Sequence, residues 1–181
     1  MLIVSKNLAG IVHRFSICPA GLVEEFSLGV RLDSAVRRLA DEVQSASPIV
    51  FGQPYDAGTY FKELSHVERD LVLRAGDSVL AYSADAYAMP AGYFGLLQTR
   101  GSLARLFVSI NCNDGQIEPG YRGRITLEIT NHSRIPVAIP VGSRIGQLFV
   151  FKCSTDAKPY DGRYQDADQP TLAAFNRGEA A

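Results

Sequence analysis

The sequence predicts an all-β domain of short strands, on two observations. Apolar runs, "SLGVRL", "DLVLRAGDSVLAYS", "YFGLLQT", "LFVSINC", "RITLEIT" and "VAIPVGSRIGQLFVFK", recur with Gly, Pro and Asn between them at short intervals. Alternating βαβ units would instead place helical patterns between the runs. A chain of 181 residues with 46% hydrophobic side chains is enough for one well-cored domain, so residues 1–181 read as a single sandwich or barrel.

The elements follow in order. "SLGVRL" is the first strand. In "DSAVRRLADEV", Val36, Leu39, Ala40 and Val43 recur at helical spacing behind Asp33, which predicts a helix over 33–43 with Asp33 as its cap. Residues 45–63, with Pro48, Gly52, Pro54 and Gly58, read as a long irregular insertion. "LVLRAGDSVLAYS" and "VAIPVGSRIGQLFV" echo one another, each passing from a short strand through a glycine turn, Gly76 or Gly142, into a second strand. They are a weak internal repeat or two similar corners. Residues 154–181 turn polar and turn-rich and read as a mobile C-terminal tail.

The formal net charge is −1, with no long basic run. That leaves no electrostatic footprint for nucleic acid or an anionic membrane, while a few converging arginines could still take a small anion. Cys18, Cys112 and Cys153 are odd in number and far apart. They suggest neither a disulfide framework nor a zinc knuckle, and read as buried small hydrophobes in a reducing compartment. The N-terminus lacks a signal-peptide pattern and no window approaches a membrane span, which suggests a cytoplasmic protein.

Within "GQIEPGYRGRITLEITN", residues 115–131, side chains from Arg124 to Thr130 alternate: Ile125, Leu127 and Ile129 on one face, Thr126 and Glu128 on the other. A carboxylate in mid-strand is met as well by a glutamate that faces water. Two clusters precede it, Arg100, Ser102 and Arg105 in "RGSLAR" and Glu118, Tyr121, Arg122 and Arg124 in "EPGYRGR". Arginine, serine and glycine at a turn suit phosphate, since arginine offers paired donors and glycine lets backbone N–H groups approach; surface arginines paired with nearby acids give the same letters. The phosphate loop GxxxxGK[ST], the dinucleotide GxGxxG and the GxSxG elbow are missing, and His13, His66 and His132 stand in no zinc-deaminase relation to a cysteine. Hydrolytic chemistry here would need a carboxylate to activate water without a tightly held protein-bound metal.

Residues 68–171 resemble the trimeric dCTP deaminases, relatives of the trimeric dUTPases, and 22–32 do so loosely. The ordered set is RxSLAR, IxPGYRGxIxLExxN, IGQL and PYxxxYQ. The resemblance implies a distorted, dUTPase-like jelly roll (a β-clip) with a few short helices, assembled as a homotrimer with sites between neighbouring subunits. It implies deamination of dCTP to dUTP and ammonia, with Glu128 as the general base toward the water that attacks C4. Arg105 would hold that carboxylate and the ring. Arg100 and Ser102 would bind the triphosphate, with Gln147, Tyr160 and Arg163 as further candidates. Tyr121 would pack on the deoxyribose, Glu118 would accept from the 3′-hydroxyl, and Asp114 and Gln116 complete the substrate-binding set. Magnesium would arrive on the phosphates, with no protein-bound zinc.

Glu128 is also the letter that separates deaminase from dUTPase in this resemblance. A dUTPase, a bifunctional enzyme using Glu118 on the triphosphate, and a catalytically weak nucleotide-binding regulatory homologue are the alternatives. Four positions depart from the family pattern: Gly101 for a serine that helps hold water, Glu118 for aspartate, Ala167 for a tail glutamine and Gly29 for a strand aspartate.

Overall fold

The computed structural model describes residues 1–112, 114–173 and 175. Helices are few: α1 Ser5–Phe15, and single turns α2 Ala57–Tyr60 and α3 Gly101–Ala104. The strands are β1 Leu28–Arg31, β2 Ala35–Arg38, β3 Ser65–His66, β4 Asp70–Leu73, β5 Ser78–Ala88, β6 Tyr93–Thr99, β7 Val108–Ser109, β8 Gln116–Ile117, β9 Arg122–Asn131, β10 Val137–Pro140 and β11 Arg144–Lys152. Every pairing between these strands is antiparallel, and the chain is mostly β, as its apolar runs predict.

Three sheets result, ordered β1-β11-β6-β8, β10-β4 and β3-β2-β5-β9-β7. The core lies between their inner faces, where Leu28, Leu71, Leu97, Leu127, Ile129 and Leu148 are almost wholly buried. Each such side chain contributes about 1.5–3 kcal/mol relative to exposure. The two echoing segments are corners: Gly76 and Gly142 turn the chain at φ +79° and +82°, a region glycine enters without steric cost. Their first strands, β4 and β10, pair with each other, and their second strands leave for different sheets.

The helix expected over 33–43 is not formed; residues 35–38 are β2, paired with β3 and β5. Local spacing loses to long-range pairing, because only Ala35 and Val36 of that stretch are buried and Leu39 is 41% exposed. Asp33 is no helix cap. It accepts from the Ala35 N–H at 2.8 Å and pairs with Arg124. Burial alone would raise its pKa, but these two donors hold its carboxyl below the ordinary value.

The helix α1 was not expected, although Leu8, Ile11, Val12 and Phe15 carry its spacing; Leu8 and Val12 are its buried residues. Of the cysteines, only Cys18 is buried. Cys153 is half-buried and Cys112 exposed, on a left-handed turn (φ +33°) at the edge of β9, and all three are free. Residues 45–63 begin on the last residue of a 3₁₀ turn, Val43–Ser45, and otherwise contain α2 as their one helical turn among the described residues. No helix among the described residues is long and apolar enough to cross a membrane.

The C-terminal segment packs back over β9. Arg122 and Asp166 form a two-pronged pair at 2.6 and 2.7 Å, and the Gln165 side chain bridges the Arg122 N–H and the Gly120 carbonyl. The Thr171 and Thr126 hydroxyls meet at 2.9 Å. Farther on, the Tyr55 O–H from the insertion donates to the Ala173 carbonyl at 2.7 Å, and Phe51 meets the Phe175 ring edge-on. Residues 174 and 176–181 of the expected tail lie outside the described residues.

Candidate functional site

Strand β9 alternates strictly. Ile125, Leu127 and Ile129 enter the core, and Arg124, Thr126, Glu128 and Thr130 are half-buried on the opposite face. That face is a cavity wall. The cavity measures about 520 Å3 and is lined by Asp114, Gln116, Glu118, Tyr121, Glu128 and Tyr160, with Thr171, Leu172 and Ala173 of the C-terminal segment closing one side. A volume in this range suits a nucleotide-sized ligand.

Glu128 is the unusual group. Among the described residues no donor is bonded to its carboxylate, and its carboxyl is pushed up to about 7, first by burial and then by the Asp114 carboxylate. A carboxyl that loses and regains a proton near neutrality is suited to general acid-base work. Asp114 is held by its own turn, its N–H donating to the Asn111 carbonyl at 2.8 Å and its carboxylate accepting weakly from the Gln116 N–H at 3.3 Å. Asn111 in turn donates to the Leu97 carbonyl at 2.9 Å, fixing the β7–β8 connection beside Glu128.

Tyr121 and Tyr160 form a corner of the cavity, ring centroids 5.9 Å apart. The Tyr121 O–H is used internally, donating to the Arg124 carbonyl at 2.6 Å, so its ring, not its hydroxyl, is left for a ligand. Gly120 brings the C-terminal segment to this corner: at φ +86° it lies so close to Pro159 and Tyr160 that an added Cβ would stand 2.7 Å from the Pro159 Cβ.

The other expected residues lie apart. Arg100, Ser102, Arg105 and Gln147 do not line the cavity. Ser102 and Arg105 are exposed on the α3 turn beside Leu106 and Phe107, and the Arg105 guanidinium has no hydrogen bond or ion pair among the described residues. Arg105 and Glu128 are thus not brought together within one chain. Arg100 pairs with Glu24 at 2.7 Å, and Gln147 donates to Ser27 at 3.2 Å. Arg163 is exposed on the C-terminal segment, close enough to Tyr160 to oppose the rise in its pKa.

Glu24 is a partner of Arg100 that reasoning from the sequence missed. It binds both Arg100 and Arg144, and despite burial these two donors keep its carboxyl below the ordinary range. Its Oε1 lies 3.6 Å from where a Cβ on Gly29 would stand. A carboxylate from the preceding turn therefore occupies the place from which an aspartate at position 29 would act. No motif marks this, because the two residues meet only across the β1 turn.

Ala167 lines the cavity, where a glutamine would point inward. Gly101 has room for a side chain, its nearest neighbour being Arg105 Nη1 at 3.7 Å. Among the described residues no three His, Cys, Asp or Glu side chains gather to hold a metal.

Fold and cavity together define a mostly β protein with a carboxylate-centred, nucleotide-sized site. The chain belongs to the dCTP deaminase-like family, whose model matches residues 9–153. It is 32% identical over 161 residues to a dUMP-forming dCTP deaminase of Methanoculleus marisnigri, covering 86% of this chain and 83% of that one. It is 31% identical over 194 residues to the dUMP-forming dCTP deaminase of Mycobacterium leprae, covering 94% of each. A solved dCTP deaminase from Agrobacterium tumefaciens shares the fold, with a TM-score of 0.62 at 20% identity over 82% of this chain and 47% of that one.

Proposed function

We propose that this protein is a dCTP deaminase in which Glu128 activates water for attack on C4 of the cytosine ring. The observation that carries this reading is the Glu128 carboxyl in the wall of the cavity, raised to about 7 and without a bonded donor among the described residues. As carboxylate it takes a proton from water; as carboxylic acid it returns one to the departing amine, so C–O forms as C–N breaks and ammonia leaves. Tyr121 would stack on the deoxyribose and Glu118 would accept from the 3′-hydroxyl. Magnesium would enter on the triphosphate, and no resident metal would be needed for the attack.

Arg100, Ser102, Arg105 and Gln147 would act on a neighbour's nucleotide in a homotrimer. Their separation from Glu128 within one chain, and the exposure of the α3 turn, favour a site shared between subunits. Closed symmetry would supply each cavity with one such turn.

The product deserves a second reading. Several relatives are named dUMP-forming, and Glu118 shares the cavity with Glu128. Those observations favour release of dUMP over the dUTP expected from Glu128 alone, with Glu118 activating a second water toward the phosphates. The test is incubation with dCTP and magnesium, followed by separation of nucleotides. Conversion that stops in the Glu128→Gln variant supports the deaminase reading, and unchanged conversion in that variant refutes it. Accumulation of dUTP in Glu118→Gln, with dUMP from the parent protein, separates the two products.

A further inference from the structure

Arg100, Arg144 and Gln147 share one carboxylate, that of Glu24. Residues 23–28 form a tight turn, closed by the Val23–Leu28 bridge and by the Glu24 N–H donating to the Ser27 carbonyl at 2.9 Å. The turn leads into β1, where Gly29 lies opposite Gln147 of β11, and β11 pairs along its other edge with β6. Arg100 directly follows β6, its N–H donating to the Ile145 carbonyl at 2.8 Å. Three segments distant in sequence thus meet around Glu24.

Both oxygens of Glu24 are used. Oε1 accepts from Arg100 Nη1 at 2.7 Å and from Arg144 Nη1 at 3.2 Å, and Oε2 accepts from the Ser27 hydroxyl at 3.3 Å. Ser27 is wholly buried, and its hydroxyl in turn accepts from the Gln147 amide at 3.2 Å. Arg144 is held a second time, through Nη2 to the Gly21 carbonyl at 2.8 Å. Gly29 keeps this space open: a Cβ there would stand 3.2 Å from Arg144 Cδ and 3.6 Å from Glu24 Oε1.

Two guanidinium groups on one oxygen repel each other, and among the described residues Glu24 is the only carboxylate paired with either. Without its charge the two arginines separate. With it, one positive charge remains in excess, the sign that a phosphate chain needs. Arg100 spends only Nη1 on the pair, and its side chain is 36% exposed. A guanidinium has five donors, so the rest of its fork is left for a ligand.

In the deaminase reading, on which this inference rests, Arg100 and Gln147 act on the nucleotide. We infer that Glu24 is their positioning residue: it fixes Arg100, and through Ser27 also Gln147, in the orientation that receives the phosphate oxygens. Glu24 acts through these side chains and not on the reacting ring, so it governs substrate affinity more than turnover.

The experiment measures kcat and KM for dCTP, with magnesium, in the parent protein, Glu24→Gln, Arg100→Gln and the double variant, with melting temperature alongside. Glu24→Gln keeps the size of the side chain and loses its charge. KM is expected to rise about tenfold in each single variant, with kcat of Glu24→Gln within about threefold of the parent's. KM of the double variant should lie within about twofold of that of Arg100→Gln, since a residue acting through a lost partner has little more to lose. Should Glu24→Gln fail to fold, Glu24→Gln with Gly29→Asp carries the test, as it returns a carboxylate beside the two arginines: a parental KM supports the inference and a raised one overturns it. An unchanged KM in Glu24→Gln overturns it, and so does a lowered one, which marks a carboxylate that competes with phosphate for Arg100. Effects that multiply in the double variant overturn it as well. In each of these cases the parent still converts dCTP and the deaminase reading stands; a parent that leaves dCTP unchanged overturns both.

Discussion

Replacing Glu128 by glutamine removes a charge while keeping the shape of the side chain. The ordinary glutamate value is 4.5 and the folded value is about 7, raised by burial and by Asp114. At full burial a rise of that size would correspond to about 3 kcal/mol. Glu128 is half-buried, and solvent screening reduces this to about 1–2 kcal/mol. The sign follows from linkage: a carboxyl whose folded pKa is raised favours the native state below the unfolded pKa, and that contribution is lost as pH rises through 7.

At pH 8.5 the parent protein therefore holds a disfavoured buried charge that Glu128→Gln lacks, and at pH 4.5 it does not. The variant should melt about 2–8 °C higher than the parent at pH 8.5 and at nearly the same temperature at pH 4.5. Differential scanning calorimetry at the two pH values measures this. Equal differences at both would refute burial of the charge as the cause. The same carboxyl predicts that kcat/KM for dCTP rises with pH along a limb centred near 7.

Asp114→Asn removes the neighbouring negative charge and should move that limb toward acid by a fraction of a pH unit, less than burial contributes; a shift toward alkali would contradict the pairing. Arg105→Ala and Glu128→Gln, each inactive alone, should regain about one quarter of parental activity when mixed and reassembled, the share of intersubunit sites with both native residues in a random trimer; no recovery after verified exchange would place both groups in one subunit. Gly101→Ser should fold normally, given the space around it, and raise kcat by restoring a hydroxyl beside the proposed attacking water, an effect read directly in steady-state kinetics. Gly120→Ala should destabilise the protein by about 1–3 kcal/mol, since φ +86° and the Pro159 contact both oppose a Cβ; limited proteolysis should then cut faster between 154 and 173.

Strand β9 was legible in the sequence because its period of two matches one buried and one half-buried face, and Glu128 could be singled out there. The β2 segment was not. Val36, Leu39, Ala40 and Val43 have a helix's spacing, but pairing with β3 and β5 satisfies the backbone and buries Ala35 and Val36 instead. Glu24 was hidden similarly, since its replacement of a missing side chain at Gly29 is a contact across a turn.

The all-β character, the two glycine corners, the acidic residues flanking β8 and within β9, and the family could be read from the sequence, because these depend on periodicity, turn chemistry and ordered motifs within short stretches. Only the tertiary structure decided that Glu128 faces a cavity instead of water, that Asp114 and burial lift its carboxyl to about 7, and that Arg105 lies elsewhere on the same chain. Exposure, charge proximity and cross-strand alignment arise when distant segments meet, and residue order encodes them only through the fold.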